Sequence, residues 1–238
     1  MDPLVNLAAY IDHTLLRPEA GPGEVAGLAD EARDWAFHAV CVQPVYVELA
    51  VRLLQDSGVA VCTVIDFPHG ASPTRVRAFA AREAVRQGAT EIDVVMPIGL
   101  FLAGEYGRVE EDLRLIFSTA RGAAAGPVTV KVILETGFLS DLQKQEAARL
   151  AVAAGADFVK TSTGFGPGGA RVEDVRLLAA AVAGRAQVKA SGGIRNLETA
   201  LAMLEAGATR LGTSSGVAIM KEWQAGVVNA AGSERGKE

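Results

Sequence analysis

Two lysines stand where lysine is out of place. Lys160 closes the apolar part of Asp-Phe-Val-Lys-Thr-Ser-Thr-Gly at 157–164, and Lys189 lies in Gln-Val-Lys-Ala-Ser-Gly-Gly at 187–193. Each ends a short strand-like run and precedes a loop of small residues. An ammonium group is normally kept out of such a run, because desolvation disfavours its charge unless a partner compensates. Two of them in one pocket each disfavour the charge on the other, and that is a route to a nucleophilic amine at neutral pH. The plain alternative is a stem that packs along the strand end while its head reaches water.

To meet in one pocket, the two lysines need equivalent places on a repeated scaffold. Short runs rich in Val, Ile and Ala lie near 10–13, 39–43, 59–66, 90–96, 128–135, 157–162, 186–190 and 209–213. Segments of helical period at 23–36, 45–56, 74–87, 105–125, 141–153, 172–183, 197–206 and 216–224 alternate with them. Gly88, Gly155 and Gly207 are each followed by Ala and then a strand, which suits the left-handed residue that ends a helix. Strand and helix in alternation imply parallel pairing with right-handed crossovers. Eight such units imply an α/β fold closed as a (β/α)8 TIM barrel. No linker interrupts the chain, so a single domain is expected over 1–238, with 225–238 as a flexible tail.

A barrel of this kind carries its chemistry at the C-terminal ends of its strands. Asp12 and His13 end the first strand and Asp66 the third, Asp93 lies in the fourth, and Lys131 and Glu135 in the fifth. These charges lie on otherwise apolar strands and need one another as partners, since unpaired burial of each is costly. Two small-residue loops, Ser191-Gly192-Gly193 and Gly212-Thr213-Ser214-Ser215-Gly216, follow strands seven and eight, where this fold commonly binds phosphate. Ser/Thr turns of this kind also cap helices.

Composition removes other classes. A formal net charge of −5 with scattered Lys and Arg gives no basic face for nucleic acid. Neither a signal peptide nor a membrane span is expected, the longest nearly apolar run, 94–103, being broken by Pro97 and Gly99. Cys41 and Cys62 sit in apolar runs, which suits reduced cytoplasmic thiols. The three histidines, His13, His38 and His69, lack ligand spacing, so no metal is expected. The loop at 164–169 lacks the G-x-G-x-x-G spacing, which argues against a dinucleotide and leaves no cofactor implied.

Five stretches carry a resemblance: Ile-Asp-His-Thr-Leu-Leu (11–16), Glu-Ile-Asp-Val-Val-Met-Pro (91–97), Lys-Val-Ile-Leu-Glu-Thr (131–136), Phe-Val-Lys-Thr-Ser-Thr-Gly-Phe (158–165) and Lys-Ala-Ser-Gly-Gly-Ile-Arg (189–195). In order and spacing they resemble the deoxyribose-phosphate aldolases. The resemblance implies a class I aldolase that cleaves 2-deoxy-D-ribose 5-phosphate to D-glyceraldehyde 3-phosphate and acetaldehyde. It implies Lys160 as the Schiff-base lysine, Lys189 as the cation beside it and Asp93 as the proton-transfer carboxylate. Lys131 is expected to neutralise and orient Asp93, the plain alternative being a structural ion pair between strands four and five; Asp12 and Cys41 match pocket positions. Asp12 could contact a substrate hydroxyl or hold a lysine, and Cys41 could equally pack as a small hydrophobe. Gly192, Gly193, Gly212, Ser214 and Ser215 are the expected phosphate residues. The partners implied are the sugar phosphate, acetaldehyde and a second copy of the chain in a homodimer.

Two departures qualify the resemblance. Some members carry a lysine directly after Thr-Ser-Thr-Gly, where this chain has Phe165, so the phosphate is expected to rest more on backbone amides. Some end in a tyrosine that helps transfer a proton, whereas the tyrosines here are Tyr10, Tyr46 and Tyr106. Two other functions remain open on the same barrel: a different Schiff-base aldolase or phosphosugar isomerase, and a non-catalytic sugar-phosphate binder. Binding alone gives no reason for a pair of amines beside a carboxylate.

Overall fold

A computed structural model describes the backbone of residues 6–235 and the side chains of residues 6–226. Eight strands, β1 (Ile11–Leu15), β2 (Ala39–Val42), β3 (Ala60–Ile65), β4 (Glu91–Val95), β5 (Thr129–Ile133), β6 (Phe158–Lys160), β7 (Gln187–Ser191) and β8 (Arg210–Thr213), pair in chain order. Every pairing is parallel, and β8 pairs back onto β1, so the sheet closes. This is the (β/α)8 TIM barrel expected from the alternation. The helices are α1 (Pro22–Asp34), α2 (Val47–Leu53), α3 (Thr74–Arg86), α4 (Ile98–Leu102), α5 (Tyr106–Ala123), α6 (Asp141–Ala154), α7 (Val172–Val182), α8 (Leu197–Glu205) and α9 (Gly216–Arg235).

Alternation along each strand divides the interior in two. Val40, Val42, Ile92, Val94, Val130, Val132, Val159, Val188 and Leu211 face outward and join helix residues such as Leu113, Phe117, Ala147 and Leu178 in the main core. The inward residues are of another kind. A small apolar cluster of Leu16, Ala39, Cys41, Cys62 and Val64 fills one side of the lumen. Asp12, Glu91, Asp93, Lys131, Lys160, Lys189 and Arg210, all buried, are also strand residues.

Local signals explain most boundaries. Gly88, Gly155 and Gly207 do adopt positive φ, at 105°, 96° and 109°, at the helix ends where they were expected. Ser140 caps α6, accepting from the Gln143 N–H while the Gln143 side chain accepts from the Ser140 N–H. Three elements differ from expectation. α4 was not foreseen, because five residues after Pro97 are too few to show a helical stripe. The segment expected to be helical at 45–56 begins as a tight turn, Pro44–Tyr46, and α2 ends at Leu53. The last helix continues past 224 to Arg235, so the backbone of 225–235, expected as tail, is helical; 236–238 lie outside the described residues. Among the described residues no helix is long and apolar enough to cross a membrane.

Candidate active site

Strand register brings the charged residues together. Lys160 on β6 is the direct partner of Lys189 on β7, and Asp93 on β4 the partner of Lys131 on β5. Partners in register point to the same side of a sheet, so all four enter the lumen. Asp93 is the hub. Its Oδ2 accepts from Lys160 Nζ and from Lys189 Nζ, each at 2.8 Å, and its Oδ1 accepts from Lys131 Nζ at 2.8 Å. A single oxygen thus bridges the two lysines that the sequence singled out. Cys62 Sγ adds a contact to Oδ1 at 3.2 Å.

The remaining contacts close a ring. Lys189 Nζ reaches Asp12 Oδ2 at 2.5 Å, and Asp12 Oδ1 holds Arg210 at 2.8 Å. Arg210 meets Glu91 at 3.1 Å, and Glu91 returns to Lys131 at 2.6 Å. Asp12, Lys189, Asp93, Lys131, Glu91 and Arg210 therefore alternate in sign around a closed, charge-balanced circuit. Lys160 hangs from Asp93 as the one cation beyond that balance among the described residues of the network. Gly212 leaves room for the lysine stem, since a Cβ there would lie 3.1 Å from Lys189 Cε. Glu91 also takes a contact from His38 at 3.1 Å.

Burial opposes the charge on each member, and the neighbours outweigh it. Lys131, Lys160 and Lys189 together hold the Asp93 carboxyl well below the usual range, and Lys189 and Arg210 lower that of Asp12. Lys131 and the His38 contact hold Glu91 low. Asp93 raises Lys131, while Asp12 and Asp93 raise Lys189, so both stay cationic against their burial. Depressed carboxyls contribute stability above their unfolded pKa values of about 4, lost as pH falls through the folded values; raised lysines contribute below about 10.4 and lose it on the alkaline side. The circuit is therefore fully stabilising between about pH 4 and 10.4. Glu91→Gln is expected to give a shallower acid limb than wild type in urea unfolding followed from about pH 7 to 3. Equal limbs would show that Glu91 is not held low.

A cavity of about 310 Å³ opens at the C-terminal ends of β6, β7, β8 and β1. Of the three lysines, Lys160 alone is on its wall; Lys131 and Lys189 lie beneath, fully buried. Gly192, Gly193, Gly212 and Ser214 line it as expected, and Gly192 and Gly193 both have positive φ, 92° and 81°. Ser215 is not on the wall; its N–H donates to Thr213 Oγ1 at 2.9 Å and its carbonyl accepts from Ile219 in the first turn of α9. Cys41 is fully buried in the inner apolar cluster, and Asp12 is occupied by Lys189 and Arg210, which fits its lysine-holding alternative. Phe165 is on the wall, edge-on to Phe67 with ring centroids 5.2 Å apart.

Sequence reading did not assign Glu91 and Arg210, the two residues that close the circuit, nor Arg17 and Arg195, the two arginines on the cavity wall. Period two was the available signal for the first pair, since Glu91 and Asp93, like Arg210 and Gly212, share a strand face. Cys41, Cys62 and Asp93 do bring three potential ligand atoms within 4.8 Å of one another. Three ammonium groups already hold both oxygens of Asp93 and compensate its charge, so the set does not suit a cation.

A parallel barrel whose mouth presents one lysine, backed by a carboxylate and two further ammonium groups, belongs to the class of TIM barrels equipped for amine chemistry. Residues 7–222 match the family model described as DeoC/LacD family aldolase. The deoxyribose-phosphate aldolase of Carboxydothermus hydrogenoformans is 54% identical over 216 residues, covering 91% of this chain and 94% of the relative. That of Caldanaerobacter subterraneus is 49% identical over 223 residues, covering 94% and 96%. The tetrameric deoxyribose phosphate aldolase structure from Aeropyrum pernix superposes with a TM-score of 0.86 at 36% identity, covering 94% and 92%. The chain belongs to the DeoC/LacD aldolase family.

Proposed function

We propose that this chain is a class I aldolase that reversibly cleaves 2-deoxy-D-ribose 5-phosphate to D-glyceraldehyde 3-phosphate and acetaldehyde. The observation that carries the reading is that Lys160 is the only one of the three clustered lysines on the cavity wall, with Asp93 directly behind its Nζ. Relatives named deoxyribose-phosphate aldolase, matched over nearly the whole chain, supply the substrate.

In this reading the neutral Lys160 amine adds to C1 of the open-chain sugar, and loss of water gives a protonated imine that serves as the electron sink. The C3 hydroxyl proton is removed, the C2–C3 bond breaks, and its electrons pass into the imine to leave an enamine and D-glyceraldehyde 3-phosphate. Protonation at C2 and hydrolysis then release acetaldehyde and restore the amine. Asp93, ionised in the resting site, takes up and returns these protons in turn through a water. Lys189 and Lys131 keep it ionised and hold it in place. Loss of the Lys160 proton leaves the six-membered circuit balanced, which supports this lysine rather than the others as the nucleophile. The phosphate lies against Gly192, Gly193, Gly212 and Ser214 with Arg195 supplying positive charge, while Arg17 is paired with Glu19 and Glu24; Ser215 stands behind them at the start of α9.

The partners in this reading are the sugar phosphate, the aldehyde and a second copy of the chain, with the cytoplasm as compartment, in keeping with two free buried thiols. Borohydride reduction in the presence of 2-deoxyribose 5-phosphate or acetaldehyde is expected to fix a covalent adduct on Lys160, read by peptide mass spectrometry. An adduct on Lys189 overturns the assignment. No adduct with either compound favours an isomerase or a non-catalytic binder.

A further inference from the structure

One buried carboxylate near the cavity takes no part in the charge circuit. Glu135 follows β5, is 2% exposed and has a left-handed backbone, φ 54°, that residues other than glycine rarely adopt. Among the described residues it makes no ion pair. A buried carboxylate without a cation needs good donors to persist, and all of its donors among the described residues come from one residue. Thr163 Oγ1 donates to Oε2 at 2.5 Å, and the Thr163 N–H points at both carboxylate oxygens, 3.2 and 3.4 Å away.

Thr163 opens the loop between β6 and α7 that covers one side of the cavity. Its Oγ1 also accepts from the Phe165 N–H at 3.0 Å, so Glu135, Thr163 and Phe165 form a short relay around Gly164. Gly164, with φ +83°, is on the cavity wall, and among the described residues its N–H has no protein acceptor. The loop is shaped to the carboxylate: a Cβ at Gly166 would lie 2.7 Å from the Glu135 carboxyl carbon. Its far end is tied to the neighbouring glycine loop, Ala170 donating to the Gly192 carbonyl at 2.9 Å.

We propose that Glu135 is a positioning residue for phosphate recognition, clamping the β6–α7 loop through Thr163 so that the Gly164 N–H is left to the anion. This rests on the aldolase reading for the identity of the phosphorylated substrate. Phe165 beside Gly164 carries no charge, so a fixed loop amide gains importance, because an N–H held in place by the fold loses little entropy on binding.

The test compares wild type with Glu135→Ala, Glu135→Gln and Gly166→Ala, the last pressing a methyl onto the carboxylate without lining the cavity. Two substrates, 2-deoxyribose 5-phosphate and 2-deoxyribose, separate phosphate recognition from chemistry. Glu135→Ala and Gly166→Ala are expected to raise KM for the phosphorylated sugar about tenfold while kcat/KM for the unphosphorylated sugar stays within about twofold. Glu135→Gln, whose amide oxygen still accepts from Thr163, should stay within about threefold of wild type on both. Equal losses on both substrates, or an unchanged KM, overturn the proposal. The rise in unfolding midpoint given by inorganic phosphate reads binding without turnover, and it should shrink in the same two variants. If wild type cleaves neither sugar yet keeps a phosphate shift that Glu135→Ala loses, the aldolase reading fails and the role of Glu135 stands. If Glu135→Ala does not fold, Gly166→Ala and Glu135→Gln make the same comparison.

Discussion

Lys160→Met will abolish the cleavage reaction and leave the barrel as stable as the wild type or more so. Loss of activity is expected because among the described residues no other amine is on the cavity wall, and without a covalent imine the C2–C3 bond has no electron sink. A fall in kcat of about 10⁵ or more is the expected scale for removing a covalent nucleophile. The stability half of the expectation is the sharper one. Removing one partner of a buried ion pair ordinarily costs several kcal/mol because the other is left uncompensated. Here Asp93 keeps Lys131 and Lys189, and the departing charge is the one in excess over the circuit. A linear apolar chain in its place removes a buried ammonium at small volume change and leaves Asp93 with two cations, so the usual cost of breaking a buried pair is not expected. Urea unfolding near neutral pH measures it. A loss of several kcal/mol would mean that Lys160 balances a charge that the circuit does not contain.

How much of this was legible beforehand depended on whether a residue announced itself locally. Lys160, Lys189, Asp93 and Lys131 did, because a charge inside a run of Val and Ile is unusual in a buried strand and needs a partner there. Glu91 and Arg210 did not, because each stands first in its strand, where a charge reads as the end of the preceding loop. Closure of the barrel brings them to Lys131 and Asp12, which is a property of the register between β4, β5, β8 and β1 rather than of any one segment. Cys41 and Ser215 illustrate the converse. Both were expected at the site, yet Cys41 packs among apolar neighbours and the Ser215 N–H is taken by Thr213. The helices were legible where a glycine closed them, as at Gly88 and Gly155, and illegible at α4, whose five residues hold little more than one turn.

Asp93→Asn tests the same network from its other pole and should fail in both respects. The substitution keeps size and removes one negative charge, so three ammonium groups then surround a neutral amide whose carbonyl oxygen can accept but whose N–H2 cannot. Two carboxylates, Asp12 and Glu91, remain against Lys131, Lys160, Lys189 and Arg210. Breaking a buried pair in this way typically costs about 3–5 kcal/mol, and loss of a proton-transfer group lowers kcat by about 10²–10⁴. Both should appear in Asp93→Asn, in urea unfolding and in steady-state turnover. The double variant Asp93→Asn/Lys160→Met then decides whether charge balance is the cause. With Lys160 gone, one of the two uncompensated cations goes with it, so Lys160→Met should stabilise Asp93→Asn by about 1–3 kcal/mol more than it stabilises the wild type. Additive effects would instead assign the destabilisation to the shape and hydrogen bonding of the introduced amide and would remove the basis for treating Lys160 as the surplus charge.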